Sequence, residues 1–181
     1  MRTVLVAVIS LDGCLTRHDA PGAEGWSSPA DKAHFRSVLA SADVYIMGSA
    51  TFRDARANIV ANLSSGHRRV ILTRRPQDFV ADHVPGQLEF TSETPAQIVD
   101  RMRADGHRLC AVLGGGEIYS LFLGSDVVDE VQLTLEPRVF GTGTRLAGTS
   151  SPIDPALHLS TVQHLSADTL LLTYSRATPI S

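Results

Sequence analysis

Three consecutive glycines, Gly114-Gly115-Gly116, separate the apolar run Leu109 to Leu113 from Glu117-Ile118-Tyr119. A strand that bends sharply into a helix at such a point leaves backbone N–H groups free at the helix start, which suits a pyrophosphate. A plain tight turn would usually need only one glycine. The spacing is not the G-x-G-x-x-G fingerprint, and Glu117 sets a negative charge beside the expected anion. A second candidate is Thr73-Arg74-Arg75-Pro76, which follows the apolar residues Val70 to Leu72. Arginine forks match a phosphate monoester, such as the 2′-phosphate that separates NADPH from NADH; a solvated surface pair would read the same way. The third is Asp31 in Trp26-Ser27-Ser28-Pro29-Ala30-Asp31. A carboxylate in a helix first turn stays ionised in the helix dipole and could hold the amidine-like edge of an aminopyrimidine or pterin. It is also common there for stability alone.

Other chemistries find no support. The seven histidines form no HExxH, and no H-x-E with a following P-C-x-x-C, so no metal site is assigned and a zinc deaminase is not expected. There is no G-x-S-x-G elbow and no Walker motif. Cys14 and Cys110 fit no CxxC or zinc spacing and read as free, space-filling thiols of a reducing compartment. The net charge of −3, with no basic stripe, argues against nucleic acid. The N-terminal run Val4 to Ile9 is too short for a membrane span, and the expected location is cytoplasmic. Positioned donors without an obvious nucleophile suit chemistry carried by a cofactor.

The elements that must position these residues follow an alternating pattern. Val4 to Ile9 is a continuous apolar run, as in a strand covered on both faces. A polar loop from Asp12 to about Ser28 follows, then a helix capped by Ser28 with Pro29 in its first turn. Val44 to Met47 is a strand, and Gly48 to Asn58 a turn with a short helix. Arg69 to Leu72 and Leu88 to Phe90 are strands. A helix starts at Thr94-Pro95, Leu109 to Leu113 is a strand, Glu117 to Leu123 a short helix and Val131 to Leu135 a strand. Leu157 to Leu165 and Thr169 to Tyr174 then form a hairpin turning at Ala167-Asp168. Thr149 to Pro155 reads as a surface loop. The expected fold class is a three-layer α/β/α domain spanning 1–181, its sheet mostly parallel with a C-terminal antiparallel hairpin. In such sheets, ligands lie at the carboxyl ends of the strands.

In this order the segments resemble the dihydrofolate-reductase-like superfamily, most closely the riboflavin-biosynthesis reductase branch, the RibD-type C-terminal domain. Ser10-Leu11-Asp12-Gly13 resembles that branch's SLDG. Trp26 with Pro29-Ala30-Asp31 and Phe35 resembles the segment of the pterin-binding carboxylate. Ile46 to Phe52 resembles the strand–GRxT turn, and Leu113 to Tyr119 the GGG-x-[IVL]-Y cofactor loop. Val128 to Thr134, Pro137 and Gly141-Thr142-Gly143 resemble the branch's DEL-x-LT…P…GxG stretch.

The resemblance implies NADPH as cofactor, lined by Ala7, Val8, Gly48, Ser49, Thr51, Thr73, Arg74 and Gly114-Gly115-Gly116 with Glu117, Ile118 and Tyr119. It also implies a cis peptide between Gly114 and Gly115 and a mobile loop from Leu11 to Trp26. Asp12, Trp26, Asp31 and Thr134 would meet a small heterocyclic substrate, with Asp31 as the catalytic residue. Where the family has arginine after the turn glycine, this chain has Ser49, and Arg74 would stand in for the missing clamp. No Cys/His deaminase half precedes the domain, so the expectation is a free-standing reductase or a paralogue with another substrate; the preferred substrate is a ribosylamino-pyrimidinone, with a pterin reductase as alternative. A non-catalytic dinucleotide-binding module would need only the glycine loop. A homodimer through the terminal hairpin is expected, because an exposed β edge tends to be covered.

Overall fold

The computed structural model describes residues 1–18, 20, 22–147 and 152–176. One eight-stranded sheet runs through them in the order β4-β3-β2-β5-β1-β6-β8-β7. The strands are β1 (Arg2–Ser10), β2 (Val44–Gly48), β3 (Arg68–Leu72), β4 (Leu88–Thr91), β5 (Leu109–Val112), β6 (Glu130–Glu136), β7 (Leu157–His164) and β8 (Leu170–Arg176). The first six are parallel to one another, whereas β8 pairs antiparallel with β6 and β7 with β8. This is the α/β sheet with a terminal antiparallel hairpin that the alternation implied. Residues 149–151 of the expected surface loop lie outside the described residues, as do 19 and 21 of the loop after β1.

The helices are α1 (Pro29–Ser41), α2 (Ser49–Ala61), α3 (Pro95–Ala104) and α4 (Gly116–Gly124). The period-two alternation of the strands sends side chains to two separate cores. Val44, Ile46, Val70, Val112 and Leu5 pack against Ile98 and Met102 of α3 and Ile118 and Phe122 of α4. Tyr45, Met47, Ile71 and Ala111 pack on the other face against Phe52 of α2 and Val38 and Leu39 of α1. The result is three layers.

Two boundaries depart from expectation. The helix after Gly48 runs for 13 residues rather than stopping near Asn58, because Phe52 on its inner face is fully buried and Ile59 packs on the same core. A 3₁₀ turn over Pro76–Asp82, absent from the sequence reading, is held by Phe79, whose ring stacks on Phe90 at 4.7 Å. Among the described residues, no helix is long and apolar enough to cross a membrane, and no three His, Cys, Asp or Glu side chains are grouped to hold a metal. Cys14 and Cys110 are buried and unbridged, and burial pushes the Cys110 thiol pKa up to about 12.

Candidate active site

The chain crosses from β4 back to the middle of the sheet through α3 and enters as β5, between β2 and β1. Reversal of strand order at this point parts the loops at the carboxyl ends. A cleft of about 1850 Å³ opens there. A single small ligand commonly fills roughly 300–1,000 Å³, so two ligands fit side by side.

The glycine bend after β5 adjoins the bend after β2. The Gly114–Gly115 peptide is cis and Gly114 has φ +106°, a conformation that L side chains avoid. Gly114 lies just behind the cleft wall, where its carbonyl accepts from the Gly48 amide at 2.8 Å. A Cβ on Gly115 would stand 3.5 Å from the Thr51 hydroxyl, so the starts of α4 and α2 are neighbours. Gly116 is small for another reason: a Cβ there would come within 2.7 Å of the Arg145 carbonyl oxygen. Neither α2 nor α4 carries a side-chain cap, whereas α1 and α3 are capped by Ser28 and Thr94. The first-turn amides of Ser49, Ala50 and Thr51, and those of Gly116, Glu117 and Ile118, therefore have no acceptor within their own helix.

These residues line the cleft together with Ala7 and Val8 from β1, Thr73 and Arg74 after β3, and Tyr119. The positive charge at the β3 end is selective. Arg56 is bound by Asp82 and Arg75 by Asp78 at 3.3 Å. Arg53 and Arg74 line the cleft with no ion-pair partner among the described residues. Arg53 rests on the Phe79 ring, 5.2 Å from its centroid, which leaves its charge available. Arg53 stands one helical turn after Ser49, so the two share a face of α2. Arg53 lies within the helix expected from sequence, but nothing in its type or spacing showed that it would face the cleft.

Asp31 lines the opposite wall and is 7% exposed. Burial, the largest influence, raises its carboxyl pKa above the ordinary value. Hydrogen bonds from the Thr134 and Ser27 hydroxyls and the nearby His34 pull the other way, while the charge of Glu136 pushes it up further. Thr134 itself is buried behind Asp31 and does not reach the cleft.

Asp12 and Trp26 are placed otherwise than expected. The Asp12 carboxylate accepts from Ser10 Oγ at 2.6 Å and from the amides of Phe140 and Gly141 at 3.2 and 2.7 Å. Those bonds, led by that from Ser10, hold its pKa well below the usual carboxylate range, and it faces the loop after β6 rather than the cleft. Trp26 packs edge-on against Phe140 at 5.0 Å, its Nε1 donating to the Gly22 carbonyl at 3.2 Å. Both residues pin two loops together. Leu15 N donates to Thr144 O and Thr144 N to Thr16 Oγ1, so that the loop after β1 and the strap over 138–146 form one wall of the cleft. The strap's part was not legible in sequence.

Comparison with known proteins agrees with this architecture. The chain is 24% identical over 149 residues to the uncharacterised protein YwjB of Bacillus subtilis (strain 168), covering 80% of this chain and 82% of that one. A pyrimidine reductase-like protein of Corynebacterium diphtheriae superposes with a TM-score of 0.77 at 16% identity, over 98% of this chain and 92% of its own. The diaminohydroxyphosphoribosylaminopyrimidine deaminase/5-amino-6-(5-phosphoribosylamino)uracil reductase of Thermotoga maritima superposes with a TM-score of 0.71 at 19% identity. That match spans 97% of this chain and 56% of the Thermotoga chain. At these identities the superpositions establish the fold. The family model described as the RibD C-terminal domain matches residues 3–171, and with the cleft just described this places the chain in the RibD C-terminal domain family.

Proposed function

We propose that the chain is an NADPH-dependent reductase of a small heterocycle, acting on a 5-amino-6-(5-phosphoribosylamino)uracil or its 2,5-diaminopyrimidinone counterpart to give the ribitylamino form. The observation that supports it best is the meeting of two uncapped helix starts, at Gly115 and Thr51, in one cleft. Six amides without an acceptor in their own helix and two helix dipoles converge there, which suits a diphosphate. Arg74 and Arg53 suit a 2′-phosphate. Ala7 and Val8 give a flat apolar edge for the nicotinamide, which when bound supplies a hydride for the C=N at the sugar. Asp31 orients the ring and passes a proton through water, and the closed apolar wall supplies proximity. The partner is a small molecule, with no role for nucleic acid or membrane, and the compartment is cytoplasmic. All eight residues of β7 are exposed, Leu157, Leu159 and Val162 among them, so this edge is assigned to a homodimer contact. A sedimentation mass near that of one chain would contradict the dimer.

The test is loss of NADPH absorbance with the ribosylamino-pyrimidinone phosphate and, separately, with dihydrofolate. Tight NADPH binding without turnover of either substrate rejects both assignments. The Asp31–Thr134 pair equally favours a pterin reductase, and displacement of substrate by low methotrexate would select that reading.

A further inference from the structure

Glu136 is the last residue of β6, 3% exposed, and does not line the main cleft. One oxygen accepts from the Ser28 amide at 2.9 Å and the other from the Thr169 hydroxyl at 3.2 Å. Ser28 is the cap of α1, and its Oγ accepts from the Asp31 amide at 3.1 Å. Two residues back on the same face of β6, Thr134 meets the Asp31 carboxylate. A buried carboxylate is costly unless bonded, and this one is bonded both to the turn that carries Asp31 and to Thr169, just before β8.

We propose that Glu136 is a positioning residue for Asp31: its carboxylate fixes the first turn of α1 against the sheet and sets a second acidic group behind the turn that carries Asp31. This rests on the assignment of Asp31 as the substrate-facing carboxyl. Like charges held in a poorly solvated wall disfavour joint ionisation, and the influence of Glu136 on Asp31 runs in that direction. The other groups facing Asp31 are His34 on its own helix, Tyr119 from α4 and the hydroxyls of Ser27 and Thr134. Glu136 shares its own side of α1 with Glu24, Lys32, Arg138 and Asp168. A protonated Asp31 can donate to a ring nitrogen, whereas an ionised one can only accept.

The test is the titration of the Asp31 carboxyl carbon by NMR in the unliganded protein, in E136Q and in T169V. Glutamine keeps the size and the acceptor for Ser28 but removes the charge; valine removes one hydrogen bond and keeps the charge. The Asp31 midpoint is expected to move to lower pH in E136Q and to stay in T169V. No movement in E136Q, or an equal movement in T169V, overturns the proposal. Should E136Q fail to fold, the wild type still decides: an Asp31 midpoint at or below the ordinary carboxylate value overturns the proposal. Because this readout needs no turnover, its failure is distinct from that of the proposed function. In an active enzyme, the limb of the kcat profile set by Asp31 shifts the same way in E136Q.

Discussion

The Tyr119 hydroxyl donates to the carbonyl of Val6 at 2.6 Å, joining the helix after the glycine bend to the strand that lies at the centre of the cleft. Tyr119 is 4% exposed, and burial pushes its phenol pKa up, so the hydroxyl stays a donor at any working pH. Tyr119→Phe leaves the Val6 carbonyl without this partner. A loss of about 1–3 kcal/mol is expected, read as a lower denaturation midpoint, together with weaker NADPH binding. An unchanged midpoint would show that water replaces the hydroxyl.

Gly116→Ala should push the strap at Arg145 outward. The added methyl meets a carbonyl oxygen rather than a flexible side-chain end. Overpacking of this kind costs about 1–3 kcal/mol. Calorimetry is expected to show a lower Tm and a weaker cofactor signal, and full retention of both would mean that the strap yields freely.

Arg74→Ala is expected to weaken NADPH by about tenfold or more, the worth of one charged hydrogen bond at 1.5–3 kcal/mol, with little change for NADH. Arg53→Ala should act in the same direction. Equal losses for the two cofactors would remove Arg74 from a 2′-phosphate site. A normal NADPH affinity in the Arg53 variant would leave that residue as a mere lid on Phe79.

Asp12→Asn carries a pH signature. The Asp12 pKa is lowered in the fold, so its stabilisation is present above the ordinary value of 3.8 and lost as pH falls below it. Urea midpoints of wild type and variant should therefore differ at neutral pH and converge in acid. Parallel curves would mean that the bonds to Ser10, Phe140 and Gly141 do not depend on charge.

Asp31→Asn has the opposite sign. A raised pKa means that the folded protein holds this proton more tightly than the unfolded chain does, and this stabilisation is lost as pH rises from 3.8 through the folded value. At neutral pH the variant should be more stable than wild type, while turnover disappears. A variant that still turns over removes Asp31 from the chemistry. If the wild type has no turnover to lose, the chain is a binding module.

The sequence by itself determined the parts whose physics is local. The apolar run Val4 to Ile9, the Ser28 cap with Pro29 and the Thr94-Pro95 start each carry their own signal, and the structure places a strand or helix at each. The glycine bend was legible too, since three glycines in a row exceed what a turn requires. Only the tertiary structure decided what each polar residue faces. Asp12 and Trp26 sit in family-like segments yet turn toward Phe140 and Gly141, more than a hundred residues away in the chain. Arg53 lies within the expected helix, and only the docking of α2 through the buried Phe52 shows that it lines the cleft beside Ser49. Arg74 and Arg75 are identical in type, and the Asp78 contact alone separates a bound charge from an available one. Periodicity reports which side of an element is apolar. It carries no information on which distant acid, carbonyl or ring completes a polar group, and those partners decide the chemistry.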